Sequence, residues 1–73
     1  MEKEVFFRKL NEELDLGEDN LNEQSTLNLT SLMHLSLISF LDEHFSIRIK
    51  AADLIGIDNM NKLINLIGND KFK

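Results

Sequence analysis

Seventy-three residues without a cysteine leave a chain few routes to stability. A domain this short buries only a small core, and without disulfides or a thiolate metal site it relies on closely packed helices. The chain also has no proline and only three glycines, which argues against a loop-built or collagen-like protein. The expectation is a single all-α domain over residues 1–73. The missing thiols also remove cysteine nucleophiles from consideration.

Hydrophobic spacing sets out the helices. Phe6, Phe7, Leu10 and Leu14 recur at helical intervals between Glu2 and Asp15, and Leu16-Gly17 supplies a stop signal. From Gly17 to Thr30 the period disappears into a stretch rich in Asn, Asp, Glu, Ser and Thr. Leu21, Leu27 and Leu29 within it predict a long connection pinned to the helices, and a loop of that length in so small a domain points to function. Helical period returns from Ser31 to Phe45, with the Thr30 hydroxyl placed to cap the first turn. At about 100° per residue, Leu37, Ile38, Leu41 and Phe45 share one face with His34 among them, the expected core side. A short helical turn around Ala51 to Ile55 ends at Gly56. Asp58 is then expected to cap a last helix striped by Met60, Leu63, Ile64 and Ile67, ending before Gly68-Asn69. These elements predict a four-helix bundle with a long first loop and a short third helix.

Charge narrows the partners. Eight Lys and Arg against 13 Asp and Glu give a formal charge of −5, which repels a phosphate backbone or an anionic leaflet and suits a basic partner surface. The most apolar window, Leu29 to Leu41, is broken by Thr30, Ser31, His34, Ser36 and Ser39 and is too short for a bilayer core, which takes about 20 residues. Met1-Glu2-Lys3-Glu4-Val5 lacks the basic and apolar regions of a secretory signal, so a cytoplasmic location is expected.

Catalytic and metal chemistry find little support. His34 and His44 lie ten residues apart without a ligand pattern, and are expected as a partly buried histidine and a surface one. Asp15, Glu18, Asp19 and Glu23 lack the alternating order and central glycine of a calcium loop and read as a solvated acidic face. Ser31 and His34 are one turn apart, yet a serine nucleophile also needs a group to orient its base and donors for an oxyanion. No metal is expected, and no enzymatic activity.

The side of the second helix opposite its predicted core gathers Ser31, Leu32, Leu35 and Ser39, with Ser36 nearby. Two readings stand. The leucines either form a docking spot beside a hydroxyl or pack beneath the long loop.

The segment Leu27-Asn28-Leu29-Thr30-Ser31-Leu32, followed by Leu35, Leu37-Ile38, Leu41-Asp42-Glu43 and Phe45-Ser46-Ile47-Arg48-Ile49, resembles the acyl carrier proteins. In that family a serine follows a long first loop, opens the second helix within an Asp-Ser-Leu motif, and bears the phosphopantetheine arm. Leu54, Ile57, Met60, Leu63, Ile64 and Ile67 match the apolar positions of the family's third and fourth helices, so the resemblance covers nearly the whole chain. It implies an acyl-carrier-type bundle with phosphopantetheine, drawn from coenzyme A, on Ser31. It also implies a phosphopantetheinyl transferase and the acyl-transferring, condensing or ligase enzymes of one pathway as partners. The growing acyl chain would fold back among Leu37, Ile38, Leu41, Leu54 and Ile57. A free-standing monomeric carrier for fatty-acid-like, polyketide or other specialised biosynthesis is the resulting expectation.

The sequence departs from the family in three places. Thr30 stands where acyl carriers have Asp and peptidyl carriers often have His, and Asn28 replaces a Gly. Ser36 and Ser39 occupy a helix that is normally acidic. Instead, residues 1–23 carry 8 acidic against 3 basic side chains, and residues 24–73 carry 5 against 5. Partners are therefore expected to meet the second helix through Leu32, Leu35, Ser36 and Ser39 more than through ion pairs. An aminoacyl or peptidyl carrier, and an unmodified adaptor of carrier fold, remain as alternatives.

Overall fold

The apolar spacing of the first segment produces helix α1, Lys3–Leu14, which buries Phe6, Leu10 and Leu14 and leaves Phe7 half-buried. It lies within the expected Glu2–Asp15 span and ends before Leu16-Gly17. Asp15 takes the left-handed conformation at φ 51°, its N–H donates to the Glu12 carbonyl, and the Leu16 N–H reaches back to the Asn11 carbonyl at 3.1 Å. This pair of bonds closes the last turn, and a short polar side chain at the left-handed position tolerates it without glycine.

These relations come from a computed structural model that describes residues 1–72. It contains four α-helices and one 3-10 turn, with no β-strand among the described residues, so the chain is all-α.

The long connection after α1 is tied down at both ends. Asn11 clasps the Glu18 backbone, donating from Nδ2 to the carbonyl at 2.6 Å and accepting the N–H on Oδ1 at 3.2 Å, while Lys3 Nζ pairs with Glu23 at 2.9 Å. Further on, the Leu27 N–H donates to the Asp58 carbonyl and the Met60 N–H to the Ser25 carbonyl, both at 2.8 Å. An isolated antiparallel bridge between Thr26 and Asn59 lies between those bonds. Leu27 enters the core, and Leu21 and Leu29 pack against it as expected.

Helix α2, Ser31–Phe45, begins where Thr30 predicts, with the Thr30 hydroxyl accepting from the Met33 N–H at 3.3 Å. Its buried residues are Leu37, Phe40 and Leu41, so the core arc is rotated relative to the expected face. Phe40 replaces Ile38, Phe45 and His34 in that arc, and those three are half-buried at its edge. The reason lies in α1. Phe6 sits at the hub of an aromatic cluster, with ring centroids 5.9 Å from Phe40, 5.8 Å from Phe45 and 5.0 Å from Phe72, and Phe40 fills that hub more fully than Ile38 could.

After α2, Ile47 and Ile49 turn inward while Arg48 and Lys50 face solvent. They lead to the single turn α3, Ala51–Leu54, where the Asp53 carboxylate accepts the Lys50 N–H at 2.9 Å and Leu54 is buried. Helix α4, Met60–Ile67, buries Met60, Leu63, Ile64 and Ile67, the predicted stripe. Its cap is Asn59 rather than Asp58: Asn59 Oδ1 accepts the Lys62 N–H at 2.8 Å. Asp58 instead pairs with Lys62 Nζ at 2.9 Å, and the hydrogen bond and charge of that ammonium hold its carboxyl below the ordinary carboxylate value. Past Gly68, whose φ of 109° suits glycine, the 3-10 turn Asn69–Lys71 delivers Phe72 into the core. No pattern in the sequence marks that turn. Every buried residue among those described is apolar.

Candidate functional site

The start of α2 brings the candidate residues together. Ser31 is the first helical residue and is exposed. The first N–H groups of a helix have no partner within it; here Thr30 satisfies that of Met33, and no hydrogen bond among the described residues uses those of Ser31 and Leu32. The first turn contains no acidic side chain. An anion held at the Ser31 hydroxyl would therefore meet free donors and the positive end of the helix dipole, an effect of about 0.3–1 kcal/mol at an exposed terminus.

Beside it, Leu32 is 78% exposed and Leu35 is 65% exposed, so neither packs beneath the long loop. Ser39 is exposed on the same side, and Ser36 is half-buried toward its edge. Ile55, just after α3, is a third exposed large apolar residue, which the sequence places only at the end of a helical turn. The sequence carries no signal for it, since Ile67 also precedes a positive-φ glycine and is buried.

The residues expected to line an acyl cavity are close-packed. Leu37 and Leu41 have no exposed surface and Leu54 has 1%, while Ile38 and Ile57 are half-buried. Two cavities lie elsewhere. One of about 260 Å³ separates α1 from the first part of the long loop, and one of about 180 Å³ is lined by Asp15, Leu16, Glu18, Thr26, Leu27, Asn28 and Met33.

The histidines divide as their positions suggest. His34 is half-buried, and His44 is exposed with its ring 4.5 Å from that of Phe40. Among the described residues no group of three or more His, Asp or Glu side chains could hold a metal ion. Asp15, Glu18 and Asp19 face solvent, while Glu23 is drawn into its pair with Lys3. No helix among the described residues is long and apolar enough to cross a membrane. Comparison with protein-family models, with curated proteins and with solved structures finds no match to this chain.

Proposed function

We propose that the chain is a carrier of the acyl-carrier type, a four-helix bundle holding acyl intermediates as thioesters on a phosphopantetheine arm attached to Ser31. One observation carries this reading: a solvent-facing primary hydroxyl at the first position of a capped helix, reached by a connection fixed to another helix. A tethered cargo needs an anchor that is rigid at its base and free to swing beyond it. Ser31 has both properties.

The residues present suit a phosphodiester on the Ser31 oxygen, because the unpaired N–H groups of the first turn favour its charge and that turn has no carboxylate to repel it. The arm, when bound, supplies the thiol that holds the acyl group. Thr30 fixes where the helix starts, and Leu32 and Leu35 offer an apolar contact beside the anchor. Catalysis belongs to the partners, a phosphopantetheinyl transferase drawing on coenzyme A and the acyl-transferring, condensing or ligase enzymes of one pathway. The protein itself acts as a monomeric substrate and shuttle in the cytoplasm. An aminoacyl carrier would use the same anchor and differ in its cargo.

Thr30 favours one other reading. A neutral residue there lacks the charge through which a basic transferase surface would recognise the site, which suits an adaptor of carrier fold that is never modified. Coexpression with several phosphopantetheinyl transferases, followed by intact-mass spectrometry, separates the two. The carrier reading expects one phosphopantetheine mass on the protein and none on Ser31→Ala. No addition by any transferase, with a known carrier modified in parallel, overturns it in favour of the adaptor.

A further inference from the structure

The net negative charge of this chain lies wholly within residues 1–23, which carry 8 acidic against 3 basic side chains, whereas residues 24–73 balance at 5 against 5. The structure gathers part of that charge around a groove. Between α1 and the first part of the long loop lies the cavity of about 260 Å³, with Phe7 and Leu21, both half-buried, as its apolar floor. Glu4, Glu18 and Asp19 stand around it against a single cation, Arg8. Lys3, close by in sequence, is engaged with Glu23. The two hydrogen bonds between Asn11 and the Glu18 backbone hold the loop wall against α1, so the groove exists before anything enters it.

We infer that this groove docks a basic, leucine-bearing segment of a partner protein. An apolar side chain rests on Phe7 and Leu21, and neighbouring lysine or arginine side chains reach Glu4, Glu18 and Asp19. The volume falls short of the roughly 300–1,000 Å³ typical of small-molecule pockets, which suits an inserted side chain better than a cofactor. Lysine and arginine match the site in both parts, because their stems lie along apolar surface while their heads stay wet beside the carboxylates. The sign of the charge excludes a phosphate backbone as the occupant. The inference does not depend on whether Ser31 is modified.

The test is a titration of the isotope-labelled protein with a short synthetic peptide of alternating lysine and leucine, followed by amide chemical shifts, with the glutamate-for-lysine peptide as control. Saturable shifts at Phe7, Arg8, Asn11, Asn20 and Leu21 are expected with the lysine peptide and not with its counterpart. The double variant Glu18→Lys with Asp19→Lys, both exposed, is expected to bind about tenfold more weakly, with the difference shrinking as salt rises. Asp42→Lys with Glu43→Lys makes the same change in net charge on α2 and should leave affinity unchanged. Equal losses from the two double variants would mean that net charge alone attracts the peptide, and would overturn the proposal. So would shifts centred on Leu32, Leu35 and Ile55, shifts that appear on raising protein concentration alone, or no saturable shift at all.

Discussion

Replacing Leu41 with Ala and, separately, Leu35 with Ser sets the two faces of α2 against each other. Leu41 has no exposed surface, so its truncation removes packed atoms from a sealed contact and leaves a cavity, a loss of about 2–5 kcal/mol. A chain of 73 residues at about 0.05–0.15 kcal/mol per residue holds about 4–11 kcal/mol in all, so this one change takes a large share of it. Leu35 is different. With 65% of its surface already in water, the buried third of a side chain that contributes about 1.5–3 kcal/mol when fully buried amounts to about 0.5–1 kcal/mol. The weaker helix propensity of serine adds a few tenths, about 0.3 kcal/mol. Urea unfolding followed by circular dichroism, with the slopes of the two transitions compared first, reads both losses on one scale. At about 4–8 °C per kcal/mol for a domain of this size, Leu41→Ala should lower the melting temperature by about 8–40 °C and Leu35→Ser by about 3–10 °C. Comparable losses would refute the assignment of the inner and outer faces, and with it the claim that Leu35 is free to meet a partner.

Other outcomes follow from single contacts. Thr30→Asp should speed phosphopantetheinylation by a generic transferase, since Asp caps at least as well as Thr and adds the missing charge; equal initial rates would show that this charge is not what recognition lacks. Asn59→Ala should cost about 1 kcal/mol through loss of the α4 cap, measured by chemical denaturation, whereas Asp58→Ala, which removes an exposed ion pair and an exposed 3.3 Å hydrogen bond from Asn59 Nδ2, should cost less. Lys62→Met should return the Asp58 carboxyl toward its ordinary value of 3.8, readable by NMR titration. Because that carboxyl is depressed in the folded protein, its pairing favours folding at pH values above 3.8 and loses its effect as pH falls through the lower folded value.

The second helix was legible to the residue because Thr30 offers a capping oxygen just before an apolar period resumes, and nothing in the tertiary structure competes with it. The stripe of α4 was legible for a similar reason, since all four of its apolar positions are buried. Which arc of α2 faces inward was less so. A wheel weighs Ile38 and Phe40 alike, and only the position of Phe6 on another helix decides between them. Asp58 and Asn59 are both good caps, and the choice turned on Asp58 being engaged by Leu27 through its carbonyl and by Lys62 through its carboxylate. The outward exposure of Leu32 and Leu35 had two equal readings in the sequence, because periodicity does not show where a long loop runs. Here the loop is carried toward α4 by its bonds to Asp58 and Met60. Ser31 could be singled out from the sequence only by its place at the loop-to-helix junction and by resemblance.

The described backbone begins and closes at one spot. The Met1 amine donates to the Lys71 carbonyl at 3.2 Å, and Phe72, the next residue, is buried with its ring 5.0 Å from that of Phe6 in the first turns of α1. Polypeptide attached ahead of Met1 and polypeptide continuing past the tail would therefore leave the domain side by side. Spliced into a surface turn of another protein, it would join the two cut ends across a short gap without prising them apart, as domain insertion requires. A label or affinity handle at either end would report from that same pole of the molecule, and one long enough to displace Phe72 would be felt first by the aromatic cluster around Phe6.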